Sequence, residues 1–309
     1  MTPSVGPCSA RPSVRKEPSL STRDFEPVEP RSVIFRGADD IGLAGDEWNP
    51  TAASSAGEPT AILLHGGGQT RLSWRKTGQF LARGGAHVVA LDARGHGDSD
   101  RASDANYSAE AMVDDLLAVI DRIGRPVVLI GASLGGLTGI EAAHKAGPDV
   151  VTKLILVDVV PRLERSGSTR IRDFMSNHLE GFESLEMAAE AVSAFLPHRE
   201  KPQDPAGLAK NLRLRRGRWY WHWDPAFLAH SAEGRVERTK RLEHSASSLC
   251  IPILLIRGKL SDVVSPDGVR EFLAVVPAAE FVELSGAAHT AASDDNDAFL
   301  ELVVEFINR

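Results

Sequence analysis

Val127-Val128-Leu129-Ile130-Gly131-Ala132-Ser133-Leu134-Gly135-Gly136 reads as a buried strand that reverses through Gly-x-Ser-x-Gly directly into a helix. Four branched apolar residues make the strand, and Leu137 to Ala146 is rich in helix formers. Such a reversal needs small flanking residues and forces its central residue into a strained backbone conformation. The strain lifts the Ser133 hydroxyl clear of the sheet, where a reactant can reach it. By itself the motif fits a small-residue turn with an incidental serine equally well. The rest of the chain decides.

A nucleophilic serine needs a base, an acid that orients the base, and donors for the oxyanion that develops. Four further stretches supply candidates in a workable chain order. Ala61-Ile62-Leu63-Leu64 is a buried strand running into His65-Gly66-Gly67-Gly68. Asp92-Ala93-Arg94-Gly95-His96-Gly97-Asp98-Ser99 is a tight polar turn after the strand Val88 to Leu91. Arg257-Gly258-Lys259-Leu260-Ser261-Asp262 and Gly286-Ala287-Ala288-His289 each follow a predicted strand. Together with the elbow at Ser133, these motifs resemble the α/β-hydrolase superfamily over roughly residues 31 to 309.

The resemblance implies a mostly parallel eight-stranded sheet with helices on both faces and a helical cap inserted before the seventh strand. It divides the chain into a first core part over 31–160, a cap over 161–249 and a second core part over 250–309. It also implies a triad of Ser133, Asp262 and His289, with oxyanion donors at the N–H groups of Gly67 and Leu134. Gly68 is the alternative to Gly67. Asp158, at the end of the strand Lys153 to Val157, is the rival acid. The fold hosts many chemistries, so the substrate stays open. A serine at the elbow argues against the epoxide hydrolases and haloalkane dehalogenases of the superfamily, which use aspartate there.

The expected reaction is hydrolysis of an ester or lactone of a small organic molecule through an acyl-enzyme, with no cofactor and no metal. Carbon–carbon bond hydrolysis and cofactor-free perhydrolysis by the same triad are the alternatives, and a ligand receptor on the same fold is the reading of another class. Arg94, His96 and Asp98 fit a turn that bonds its own backbone better than a metal site. His65 fits a structural histidine.

Bulk properties narrow the field. The 309 residues are 42% hydrophobic and 25% charged, as in ordinary globular proteins. A net charge of −7 argues against a nucleic-acid partner. Cys8 and Cys250 cannot make a disulfide framework, and Cys250 beside a core strand reads as a buried apolar residue. No run is long enough to span a membrane, and a cytoplasmic location is the expectation. Residues 1–30, rich in Pro, Ser and mixed charge, read as a disordered extension.

Between Pro161 and Leu249 only helical stretches are expected, such as Ser184 to Phe195, together with a polar segment rich in Arg and Trp. Within that segment, Trp219-Tyr220-Trp221-His222-Trp223 either pins the cap to the core or lines the pocket. Trp221 and His222 are the pocket candidates. The arginines around it either attract an anionic substrate or stand in water.

Overall fold

In the central strands alternate side chains go to opposite faces, and each face is apolar. Ile62, Leu64, Leu129, Leu154, Leu156 and Leu255 join one core cluster, while Ala61, Leu63, Val128, Ile130, Ile155 and Ile256 join another. A strand buried on both faces belongs inside a parallel sheet covered by two helical layers. The computed structural model describes residues 28–49, 59–196, 205–230, 234–285 and 297–309. The extension expected over 1–30 falls outside them up to residue 27.

The elements in chain order are β1 (Arg31–Arg36), β2 (Gly42–Trp48), β3 (Thr60–Leu64), α1 (Arg75–Arg83), β4 (Val88–Leu91), α2 (Ala109–Ile123), β5 (Val127–Ala132), α3 (Leu134–Ala146) and β6 (Val151–Val157). Then follow α4 (Arg165–Ser176), α5 (Leu185–Phe195), β7 (Leu212–Arg215), β8 (Arg218–Trp221), α6 (Arg235–Ser247), β9 (Ile253–Gly258), α7 (Pro266–Val275), β10 (Glu280–Leu284) and α8 (Asp297–Asn308). Eight strands form one sheet in the order β1-β2-β4-β3-β5-β6-β9-β10. Only the β1–β2 and β2–β4 pairings are antiparallel. α1 and α8 cover one face; α2, α3, α6 and α7 cover the other. The local signals act as read: Ser108 Oγ accepts the Ala111 N–H at 3.2 Å to cap α2, and Gly124 ends that helix at φ 65°.

Three expectations need correction. The inserted region is not purely helical, because β7 and β8 form an antiparallel hairpin. Arg216 and Gly217 turn it, both at positive φ (48° and 77°), which is the backbone of a two-residue hairpin loop. α6, assigned by sequence to the cap, lies in the core layer, where Leu242 and Ala246 pack in the same cluster as the sheet and α3. Cys250 is exposed rather than buried, because it stands in the loop ahead of β9. Met175, Phe182, Ala188, Leu212, Trp221 and Trp223 give the inserted region a small core of its own. Among the described residues no helix is long and apolar enough to cross a membrane.

Candidate active site

Ser133 sits between β5 and α3 at φ 46°, ψ −114°, a conformation that costs a side-chain-bearing residue of order 1–3 kcal/mol. Its surroundings over-determine it. A Cβ on Gly131 would stand 2.5 Å from the backbone of Gly135 and Gly136, and a Cβ on Gly135 would strike the Leu64 carbonyl. Helix α3 can therefore press against the ends of β3 and β5 only with glycines there. The Gly135 N–H closes the joint by donating to His65 O at 3.1 Å.

The glycine loop after β3 lies opposite. The Gly66 N–H donates to Gln69 Oε1 at 3.1 Å, and the Gly68 N–H donates to His96 Nε2 at 3.2 Å. Neither the Gly67 N–H nor the Leu134 N–H makes a hydrogen bond among the described residues. Ser133, Gly67 and Leu134 all line one cavity of about 1560 Å³ between the sheet edge and the inserted region. Both residues are half-buried, so two N–H groups without a partner among the described residues are available on the cavity wall that also carries the strained serine.

The two candidate acids occupy unlike settings. Asp262 is 42% exposed and is gripped by Arg170 of α4 through Nη2 at 2.7 Å and Nε at 2.8 Å. Asp158 is fully buried at the end of β6, next to the elbow: Ala132 pairs with Val157, and the Ser133 N–H donates to Val157 O at 3.2 Å. Its Oδ1 accepts the Gly258 N–H at 3.1 Å and its Oδ2 accepts the Ser261 hydroxyl at 2.6 Å. His289 lies outside the described residues. Leu284, the last residue of β10, pairs with Gly258 beside that same carboxylate.

Of the two aromatic pocket candidates, Trp221 lines the cavity and His222 does not. Trp221 stacks on Trp223, also a lining residue, with ring centroids 4.8 Å apart. His222 turns the other way: its Nδ1 accepts the Gly97 N–H at 2.8 Å, and its Nε2–H donates to Gly68 O at 3.1 Å. It thus ties the inserted region to the glycine loop.

The Asp92–Ser99 turn is the platform for this docking, a role sequence reading missed. The Asp224 N–H donates to Gly95 O at 2.8 Å, and Arg213 Nη2 reaches Gly97 O at 2.9 Å and Asp98 Oδ1 at 2.6 Å. The turn must be thin to be gripped from two sides. Gly97 has φ 56°, and a Cβ there would collide with the Asp92 carboxylate.

Replacing His222 by Ala would strand the Gly97 N–H and the Gly68 carbonyl. A loss of about 3 kcal/mol in urea unfolding is expected from two orphaned buried groups. In steady-state kinetics kcat should drop more than KM rises, because the displaced loop carries Gly67.

Three buried histidines pack around this loop, with His65–His96 and His96–His222 centroids 5.2 and 5.9 Å apart. Burial is the main cause that lowers each from the ordinary histidine range: His65 to about 4, His96 to about 3, and His222 well below. All three are neutral rings with one donor and one acceptor nitrogen. His65 Nδ1–H donates to Gly66 O at 2.8 Å and its Nε2 accepts the Ala93 N–H at 3.0 Å, so it serves the loop as a structural residue.

Comparison with known proteins agrees with this architecture. An esterase of Mycobacterium tuberculosis, Rv0045c, is 31% identical over 255 residues, which cover 79% of this chain and 81% of that protein. Protein phosphatase methylesterase 1 of Bos taurus is 33% identical over 54% of this chain, and the match spans 46% of that longer protein. The crystal structure of E-2-(acetamidomethylene)succinate hydrolase superposes with a TM-score of 0.78 at 22% identity, covering 91% of this chain and all of that one, which speaks for the fold alone. The family model of the alpha/beta hydrolase fold matches residues 59–295. With the elbow, the glycine loop and the sheet order in place, the chain belongs to the α/β-hydrolase fold family, a family of enzymes.

Proposed function

We propose that the protein is a serine hydrolase that cleaves carboxylic esters or lactones of small molecules. The observation that carries this reading is the strained Ser133 beside two unengaged N–H groups, those of Gly67 and Leu134, on the wall of a large cavity. The esterase relative, alike over most of both chains, supports it.

Ser133 attacks the carbonyl carbon and His289 takes its proton. Gly67 and Leu134 donate to the oxygen as it becomes negative, each worth about 3 kcal/mol in the transition state. His289 returns the proton to the leaving alcohol, and water activated by the same ring releases the acid from the acyl-enzyme. His289 holds this role by its place in the sequence, five residues past Leu284, the end of β10, after Gly286-Ala287-Ala288. For the acid we assign Asp158 in place of Asp262. A buried carboxylate fixed by two donors can hold an imidazole in one tautomer in a water-poor setting, whereas Asp262 is paired with Arg170 and 42% exposed. The inserted region shapes the cavity and limits water.

A fluorophosphonate probe tests the reading. Intact-mass analysis with peptide mapping is expected to find one adduct, on Ser133, absent from folded Ser133→Ala. If folded wild type takes up no probe and turns over neither aryl nor alkyl esters, the hydrolase reading is wrong and a receptor takes its place.

A further inference from the structure

Arg235, Arg238 and Arg241 recur every three residues on α6, and all three line the cavity that contains Ser133. Two of them are engaged. Arg235 donates to Leu163 O, and Arg241 pairs with Glu141 of α3. The Arg238 side chain has no hydrogen bond or ion pair among the described residues, and its Nε is buried. Burying a guanidinium donor without an acceptor costs free energy that proteins rarely leave uncompensated.

Arg238 is not alone in this. Seven buried side-chain polar atoms lack a partner among the described residues, and four belong to residues of this cavity: Arg238 Nε, Trp221 Nε1, Trp223 Nε1 and Ser193 Oγ. Every one of the four can donate, so the cavity suits a ligand rich in acceptors.

Two contacts fix the level of Arg238 relative to the reacting serine. Arg241 meets Glu141, and His244 meets His144 at 5.8 Å between ring centroids, so α6 runs beside α3 in the same direction. One turn earlier, Arg238 stands level with Leu137 and Thr138, which also line the cavity. Thr138 is five residues beyond Ser133, about 7 Å along a helix axis. Leu134, Leu137, Leu163 and Leu242 supply apolar wall in the same cavity.

We infer that Arg238 is the anion-binding residue of the substrate pocket, and that the substrate carries a carboxylate joined to its scissile carbonyl by a short carbon chain, as in a monoester of a dicarboxylic acid. This rests on the ester-hydrolase reading and adds the substrate class. The planar guanidinium edge that includes Nε matches the two oxygens of a carboxylate. Among the guanidinium groups that line the cavity, Arg238 is the one with a buried donor left without an acceptor, and a carboxylate supplies both the acceptor and the balancing charge.

The test compares mono-4-nitrophenyl glutarate with 4-nitrophenyl butyrate, which share a leaving group. The ratio of their kcat/KM values, measured on one preparation, does not depend on the folded fraction. Wild type is expected to favour the anionic ester, and Arg238→Gln to lower the ratio about 10- to 100-fold, the range for a charge-assisted hydrogen bond. Arg238→Lys should keep part of the preference. In parallel, calorimetry measures monomethyl glutarate binding to Ser133→Ala with and without Arg238→Gln. A ratio unmoved by Arg238→Gln, or binding that ignores it, overturns the inference. Binding that depends on Arg238 in a protein whose wild type cleaves neither ester upholds the anion site and removes the hydrolase reading instead.

Discussion

Asp158→Asn is expected to lower kcat for a good ester by about 10⁴-fold, the loss typical when an orienting acid becomes an amide and the histidine takes the wrong tautomer. Asp262→Asn is expected to cost less than about tenfold, since an exposed ion pair is worth little. Asparagine keeps the backbone and one of the two contacts, although its NH2 then faces the Ser261 oxygen, which already accepts the Val263 and Val264 N–H groups. Asp158 has φ 51°, a conformation that asparagine tolerates better than most residues, and the amide oxygen can still accept the Gly258 N–H. Steady-state kinetics of both variants, with melting curves to confirm folding, make the measurement. The opposite ranking would return the acid to Asp262.

Between pH 7 and pH 5 the protein is expected to lose about 4 kcal/mol of stability from His65 and His96 alone. An unfolded histidine protonates near 6.5, whereas burial holds these rings at about 4 and about 3. The unfolded chain therefore binds more protons than the native one over this interval, and stability falls as the pH falls. At pH 5 each ring accounts for about 2 kcal/mol, since each unit of displacement is about 1.4 kcal/mol. The sign is fixed by the depressed native values; raised ones would make stability grow on acidification. Urea unfolding at the two pH values checks the direction and size of the loss, and calorimetry near pH 5.5 should find at least about two protons taken up on unfolding, with buried His222 adding to the total. Because the His96 Nε2 lone pair accepts the Gly68 N–H, the ring cannot take up a proton there without breaking that bond of the glycine loop.

The fold was legible because its signals are local. An apolar strand, a Gly-x-Ser-x-Gly turn and a Ser108 cap each act through residues close in sequence, and the sheet order follows from their succession. The choice between the two candidate acids is not legible in that way. Asp158 and Asp262 both follow strands, and only burial by the chain between them separates a carboxylate held by Gly258 and Ser261 from one paired with Arg170 near the surface. The hairpin of β7 and β8 was hidden for a local reason: its turn places Arg216 at positive φ, where glycine or asparagine is the usual marker. The arginines split into two groups that spacing could not sort. Arg213 anchors the inserted region on Asp98, while Arg238, some way outside the conspicuous Arg- and Trp-rich run, is the one with a buried donor that lacks a partner among the described residues.

At the end of that hairpin, Trp221, His222 and Trp223 point alternately into the cavity, onto the core and into the cavity. The roles change from one residue to the next, so a one-residue insertion or deletion ahead of them would exchange them. An indole would be driven against the Gly97 amide, and an imidazole would be left facing the ligand. Length changes are therefore closed to this segment as a route to new substrates. Adaptation on this wall can proceed only by exchanging side chains in place, at 221 and 223, while the histidine between them keeps the register.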